Sequence, residues 1–332
     1  MIRNPLSFAV LALCALSTHA LADGQGVPIN YDNLSFFEEP LAAHVGPATV
    51  SANLLFDQAA QYNTRDDRDS YNTRINGDFM IETELSNSWQ VGARYVANYD
   101  RLEDNDELRK YVDNLALFAE DEWGTVAVGN VTGSVRETVR RKRGFGNSDI
   151  KYDGFVGELD ETGAFYSIDY NAFNVAMTAD QEGRAEVGLS FEQPFGTRVW
   201  SGGVRLRKGD VAENLRNGER GDTYGATAVG SYIYASTLIN GQIGYENVDD
   251  DNARITESDH VFGSVGMQYK YGAYRFSADG AVSEFNDETR RSVALGSRID
   301  FARGASVNLG LNYEHDGTDE DLESIASVRY EM

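Results

Sequence analysis

The densest group of side chains able to do chemistry is Arg136, Arg140, Arg141, Lys142 and Arg143, followed by the acids Asp149, Asp153, Glu158, Asp160 and Glu161. Guanidinium, ammonium and carboxylate groups in such a run make and break no bonds by themselves. They bind counter-ions or, held in a narrow passage, set a field that sorts solutes by charge and dipole. On an open surface the same run is a solvated face. Which of the two applies depends on whether the fold encloses it.

Bond-making chemistry is poorly provided for. Beyond the N-terminal region the histidines are His44, His260 and His315, which are far apart and without metal-ligand spacing. Gly263-Ser264-Val265-Gly266 is not a nucleophile elbow, and no glycine loop with a lysine cradles phosphate. No enzyme, cofactor or metal site is therefore expected, although Ser, His and Asp brought together across strands would escape this reading.

Arg3, the apolar run from Phe8 to Leu16 and Ala20-Leu21-Ala22 have the form of a secretory leader, so residues 1–22 are expected to be removed and the only cysteine, Cys14, to leave with them. Acidic residues outnumber basic ones, 53 against 29, for a formal charge of -24. Nucleic acid, itself polyanionic, is excluded as a partner. Past the leader no apolar run approaches the roughly 20 residues that a membrane helix needs. The chain is thus either water-soluble or hides a polar face inside a barrel.

Alternation decides between these. Ile75, Gly77, Phe79, Ile81, Thr83 and Leu85 fall on one side of a strand, and Arg74, Asn76, Asp78, Met80, Glu82 and Glu84 on the other. After Ser86-Asn87-Ser88 the rhythm resumes with Trp89, Val91, Ala93, Tyr95, Ala97 and Tyr99 against Gln90, Gly92, Arg94, Val96, Asn98 and Asp100, which makes an antiparallel hairpin. Tyr274, Phe276 and Ala278 against Arg275, Ser277 and Asp279, Ile299 and Phe301 against Arg298 and Asp300, and Val307, Leu309 and Leu311 against Ser306, Asn308 and Asn312 repeat it.

A sandwich also alternates, but the connections separate the two. Those at Ser86-Asn87-Ser88, Pro194-Phe195-Gly196 and Ala302-Arg303-Gly304 are short, whereas residues 101–109, 209–220 and 248–259 are long and charged. Short turns at one rim and long polar loops at the other describe an outer-membrane barrel, with aromatics such as Trp89, Tyr99, Tyr269 and Tyr271 at its lipid-water boundaries. About sixteen strands follow, starting near Ala48, Tyr71, Trp89, Lys110, Gly124, Gly163, Ala172, Arg184, Thr197, Asp222, Ser236, His260, Ala273, Arg291, Ala305 and Asp321. The fold class is all-β, a transmembrane antiparallel barrel over residues 47–332, wide enough for an aqueous lumen. Residues 23–46 read as an N-terminal extension, either periplasmic or a plug of the lumen.

Trp123-Gly124-Thr125-Val126-Ala127-Val128-Gly129-Asn130 and the long non-alternating stretch 131–162 resemble the fifth strand and the constriction loop of the Gram-negative general porins. The closing alternation of Ala326, Val328, Tyr330 and Met332 is similar as well, with Met where that family usually has Phe. The resemblance implies a homotrimer in the outer membrane, a channel for small hydrophilic solutes and ions, and a loop folded into the lumen. It also implies facing charges at the constriction: Arg74, Arg94, Asp78 and Glu82 on the wall, with Glu84 on the same face. On the loop it implies Arg136, Arg140, Arg141, Arg143, Asp149, Asp153 and Glu158. The basic run would favour anions if it enters the lumen. A channel with a saturable solute site, and a non-conducting adhesin, receptor or enzyme barrel, are the other readings. The acidic runs Glu103-Asp104-Asn105-Asp106-Glu107, Asp249-Asp250-Asp251 and Asp319-Glu320-Asp321 either bridge through divalent cations to lipopolysaccharide phosphates or are solvated loop tips.

Overall fold

The computed structural model describes residues 41–65, 68–85, 88–102, 110–131, 133–139, 141–142, 144–156, 162–210, 221–249, 258–285, 288–302 and 304–331. Residues 1–40, which include the stretch read as a leader, lie outside them, as do residues 103–109, 250–257 and Met332.

The strands are β1 (Leu41–Val45), β2 (Ala48–Asn63), β3 (Arg68–Glu84), β4 (Gln90–Leu102), β5 (Lys110–Asp121), β6 (Gly124–Asn130), β7 (Thr162–Tyr170), β8 (Phe173–Asp180) and β9 (Ala185–Phe195). They continue with β10 (Arg198–Asp210), β11 (Asp222–Tyr234), β12 (Thr237–Asp249), β13 (Ser258–Tyr271), β14 (Tyr274–Phe285), β15 (Glu288–Ala302), β16 (Ala305–His315) and β17 (Glu320–Glu331). Every predicted strand start falls within three residues of an observed one. Each of β2 to β17 pairs antiparallel with the next in the chain, and β17 pairs with β2, Glu331 opposite Leu55, which closes a ring of sixteen positions.

The closure explains why the alternation had to be so strict. Side-chain direction passes across each pairing, from Asp57 to Arg74 to Asp100 and so on round the ring, and must return to β2 unchanged. It does: Ile325, on the inward side of β17, meets Gln61, on the inward side of β2. Outward positions are apolar and exposed, such as Val261, Val265 and Met267 on β13, while the alternating His260 and Phe262 are buried inside. Exposed aromatics flank the short turns, among them Trp123, Tyr170, Phe195, Tyr234 and Tyr271, as a girdle at the lipid boundary requires.

Two-residue turns join β7 to β8 and β11 to β12 at that rim, and both reverse through a left-handed residue, Asn171 at φ 57° and Ala235 at φ 51°. Such turns match the right-handed twist of paired strands. Pro194 and Phe195, read as a turn from the sequence, belong to β9, and the chain reverses at Gly196 instead (φ 63°).

One strand went unanticipated. β1 lies in the stretch read as an extension, and the sheet therefore begins at 41 rather than 47. It pairs with β2 on the same edge as β17, Leu41 opposite Ala52, and so prolongs β17 toward the short-turn rim.

Candidate pore constriction

The connection after β6 does not leave the barrel. It opens with α1 (Ser134–Thr138), a single turn whose Val135, together with Val139, is fully buried. Both valines rest on the inner wall where β9 and β10 offer Gly188 and Gly203, positions at which a β-carbon would sit about 3 Å from the valine methyls.

From there the loop runs round the inner wall and doubles back. Outbound, the Lys142 carbonyl accepts from Asn240 Nδ2 (2.8 Å) on β12 and Gln268 Nε2 (3.3 Å) on β13. The Phe145 amide donates to Ser277 Oγ on β14 (2.9 Å), whose hydroxyl faces the Phe145 carbonyl at 3.1 Å. Asn147 donates to the Asn308 carbonyl on β16 (3.3 Å) and to Ser327 Oγ on β17 (3.1 Å). On the way back the amide of Asp149 donates to Asn312 Oδ1 (3.0 Å), that of Lys151 to Ser292 Oγ (3.0 Å) and that of Val156 to Glu246 Oε2 (2.7 Å), while Gln242 donates to the Asp153 carbonyl.

A loop laid against a wall strands its own amides and carbonyls unless the wall supplies partners. Here inward asparagine, glutamine and serine side chains supply them. Close approach needs missing side chains too: a methyl at Gly296 would fall on the Phe145 carbonyl, and one at Gly310 on that of Asn147.

Electrostatics fix the middle of the loop. Arg141, 4% exposed, reaches Asp279 Oδ1 at 2.5 Å and Asn240 Oδ1 at 3.1 Å through Nη1, and Asp153 at 3.6 Å through Nη2. Lys151 Nζ lies 2.7 Å from Glu314. The return lane ends with Phe155, edge-on to Phe262 at 5.6 Å and beneath the guanidinium groups of Arg205 (4.9 Å) and Arg207 (5.2 Å).

The structure thus brings Arg141 and Asp153 together on the wall, and the basic run is not simply a solvated face. Arg136 and Asp149 are exposed. Arg140, Arg143 and Glu158 lie outside the described residues, as do Asp160 and Glu161. On the other wall Arg94 Nε meets Asp78 Oδ1 at 2.9 Å, and Arg74 faces Asp100 at 3.7 Å rather than Asp78. Glu82 is buried on the same inward face, two residues before the end of β3. The loop's hydrogen-bonding anchors lie on β12 to β17 and its apolar contacts reach β9 and β10, not the strands of Arg74 and Arg94.

Reading the sequence for site residues passed over Arg275, Arg298 and Arg329, which form a second basic group near the short-turn rim. Arg275 and Arg298 share Asp300 at 3.1 and 2.6 Å, and Arg329 meets Asp57 at 2.7 Å. Their places on the wet face of their strands were legible, their convergence was not. The acidic runs also part company. Asp319 is exposed and ion-paired with Arg65 at 2.5 Å, but Asp321 belongs to β17, is buried, and accepts from Asn63 at 2.5 Å. The run 319–321 is therefore not one surface patch. Most of the other two runs lies outside the described residues.

A ring of sixteen antiparallel strands with a polar inner face and an in-folded third long loop is the fold of the porin barrels. OmpTdeltaL8, a loop deletion mutant of an outer membrane protein of Vibrio cholerae, superposes with a TM-score of 0.66 at 16% identity, over 86% of this chain and 100% of that one. A porin refined at 1.8 Å gives 0.65 at 15% identity over 85% and 100%. The anion-selective porin from Comamonas acidovorans gives 0.63 at 13% identity over 86% and 100%. No protein-family model and no curated protein sequence matches the chain. Identities this low carry the architecture alone.

Proposed function

We propose that this chain is an outer-membrane porin, a water-filled channel for passive diffusion of small hydrophilic solutes and ions, exported by a leader at residues 1–22 and working as a homotrimer without cofactor or catalysis. The observation that carries the reading is the doubled loop: it is pinned along one side of a polar inner wall, an arrangement that narrows a passage while leaving β2 to β5 as its other side. Exposed Arg136, Lys142 and Lys151 on the loop stand against an inward face holding Asp78, Glu82 and Glu120, and charges of opposite sign across a passage discriminate among solutes. The histidines support no hydrolytic alternative, since His44 contacts Thr49 and His260 contacts Glu246 on strands far apart in the ring.

Insertion of the purified protein into planar bilayers tests this. Stepwise ohmic conductance, with liposome swelling that falls steadily as sugar size grows, is the expected result. Saturating uptake would point to a solute-specific site, and absence of permeation to a non-conducting barrel. Arg136→Ala with Lys142→Ala is expected to shift the reversal potential toward cations.

A further inference from the structure

Lys208 stands on the oily side of the barrel. It follows Trp200, Val204 and Leu206, all exposed to lipid, in the two-residue register of β10. A long ammonium side chain is tolerated there because β10 ends two residues later, at the long-loop rim, where its head snorkels to the lipid-water boundary. The Lys208 Nζ lies 3.2 Å from Asp222 and 5.7 Å from the centre of the Tyr224 ring, and the Tyr224 hydroxyl donates to the same carboxylate at 3.1 Å. The side chains of Lys208 and Asp222 are 37% and 48% exposed, so the pair is open to a lipid head group.

Snorkelling accounts for the lysine but not for the surface beside it. A groove of about 400 Å³ opens there, within the roughly 300–1,000 Å³ of small-molecule sites. Val187 and Leu206 wall it on one side, Tyr224 and Tyr245 on the other. Leu206 and Tyr245 are the cross-strand partners of Ala226, so the short alanine between two large side chains makes the floor. Away from the rim that floor continues over Ala228 to Gly230, the next outward positions of β11, and a β-carbon at Gly230 would meet nothing within 4 Å. From Ala226 to Gly230 the depression follows the strand for about 14 Å into the hydrocarbon. Apolar walls, an open side and one end at the boundary suit an acyl chain.

The rim end selects the head. An ammonium recognises phosphate as a point charge, while the carboxylate beside it accepts from hydroxyls. A phosphate borne on a sugar satisfies both groups, whereas a phosphate without neighbouring hydroxyls leaves Asp222 unmatched. Long loops of outer-membrane barrels are extracellular, so the groove opens to the outer leaflet.

We propose that this groove binds one acyl chain of a phosphorylated glycolipid of the outer leaflet, with the phosphate on Lys208 and sugar hydroxyls on Asp222. The site rests on the orientation of the barrel in its membrane and not on conduction. Native mass spectrometry of the purified protein in detergent, with lipid A as the phosphorylated and acylated disaccharide, tests it. Lipid A is expected to stay bound, and Lys208→Gln and Ala226→Phe are each expected to weaken it about tenfold, the worth of one good contact. Arg291→Gln, which removes an exposed cation from the lipid side of β15, and Val265→Phe, which adds bulk to the lipid side of β13, are expected to leave it unchanged. Heat-modifiable gel mobility shows that each variant is folded. Unchanged affinity in folded Lys208→Gln or Ala226→Phe overturns the site, as does an equal loss in Arg291→Gln, which would mark a general attraction to rim cations. Phosphatidylglycerol bound as tightly as lipid A overturns the glycolipid assignment, and retention of neither lipid overturns the groove as a seat. The assay reads lipid rather than current, so a barrel that holds lipid A and does not conduct fails the channel reading alone.

Discussion

Where the loop lies on β12 to β17, the inner wall offers mainly amide and hydroxyl side chains interrupted by glycines, with Asp279, Glu246 and Glu314 among them, whereas β2 to β5 carry Asp78, Glu82, Arg94 and Glu120 beside the apolar Leu55, Met80, Val96 and Phe118. The first wall satisfies the backbone of another segment and admits it closely, and so behaves as a seat. The second carries Asp78, Glu82, Arg94 and Glu120 on its inward face, and on the proposed channel reading these are the charges that solutes meet. Inward residues of a barrel are not equivalent: those under the loop, neutral and ionic alike, are consumed as its partners, and those on β2 to β5 are not among those partners.

Breaking the seat should have the largest effect. Arg141→Ala leaves Asp279 buried without its counter-ion, a loss of roughly 3–5 kcal/mol for a buried pair. A lower unfolding midpoint in detergent and a larger, noisier conductance are expected. Arg141→Met with Asp279→Leu should recover most of the stability, because an apolar replacement of both partners removes the uncompensated charge. A lesser loss, about 1–3 kcal/mol as for overpacking, is expected from Gly296→Ala or Gly310→Ala, both of which collide with loop carbonyls. Gly280→Ala, whose β-carbon would find its nearest atom at 3.9 Å, should be silent in the same thermal unfolding assay.

Changes to the facing wall should act on selectivity more than on stability. Asp78→Asn releases Arg94, whose side chain is 27% exposed. With the Asp78 side chain only 6% exposed, roughly 1–2 kcal/mol of stability is at stake, between an exposed pair and a buried one, while the reversal potential in a salt gradient should move toward anions. An unmoved reversal potential would mean that this wall does not face the conducting path.

The smallest effect is expected at the long-loop rim, remote from both walls. The Asp316 carboxylate accepts the amides of Asp319 (2.8 Å) and Thr318 (3.0 Å), then the Thr318 hydroxyl, and lies near Arg65. These contacts hold its pKa well below the usual carboxylate range. A depressed folded-state value stabilises the turn above the ordinary carboxylate pKa of about 4, and that contribution disappears as pH falls through the folded value. Carboxyl carbon NMR should show Asp316 still ionised when neighbouring exposed acids have protonated, and Thr318→Val should bring its titration back toward theirs.

Strand number, hairpin connectivity and the wet and oily faces were legible because a two-residue period repeats along the strands of a closed ring, with few local exceptions such as the register shift at Asp300 to Ala302. Asp78, Arg94 and Arg141 could each be nominated by charge and position. That Arg141 meets Asp279, 138 residues away, could not be read, since nothing in a local pattern encodes which strand a loop crosses. β1 was missed for a related reason: Leu41–Val45 is too short to show a period, and only its place beside Ala48–Ala52 makes it a strand.

The order of residues alone therefore determined the barrel, since alternation, turn chemistry and an even strand count are local and additive along the chain. Tertiary structure alone decided what the interior does: where the loop lies, which glycines it needs, and which charges are consumed as internal partners rather than left facing the passage. Those depend on distances between segments far apart in the chain, which arise only when the ring closes.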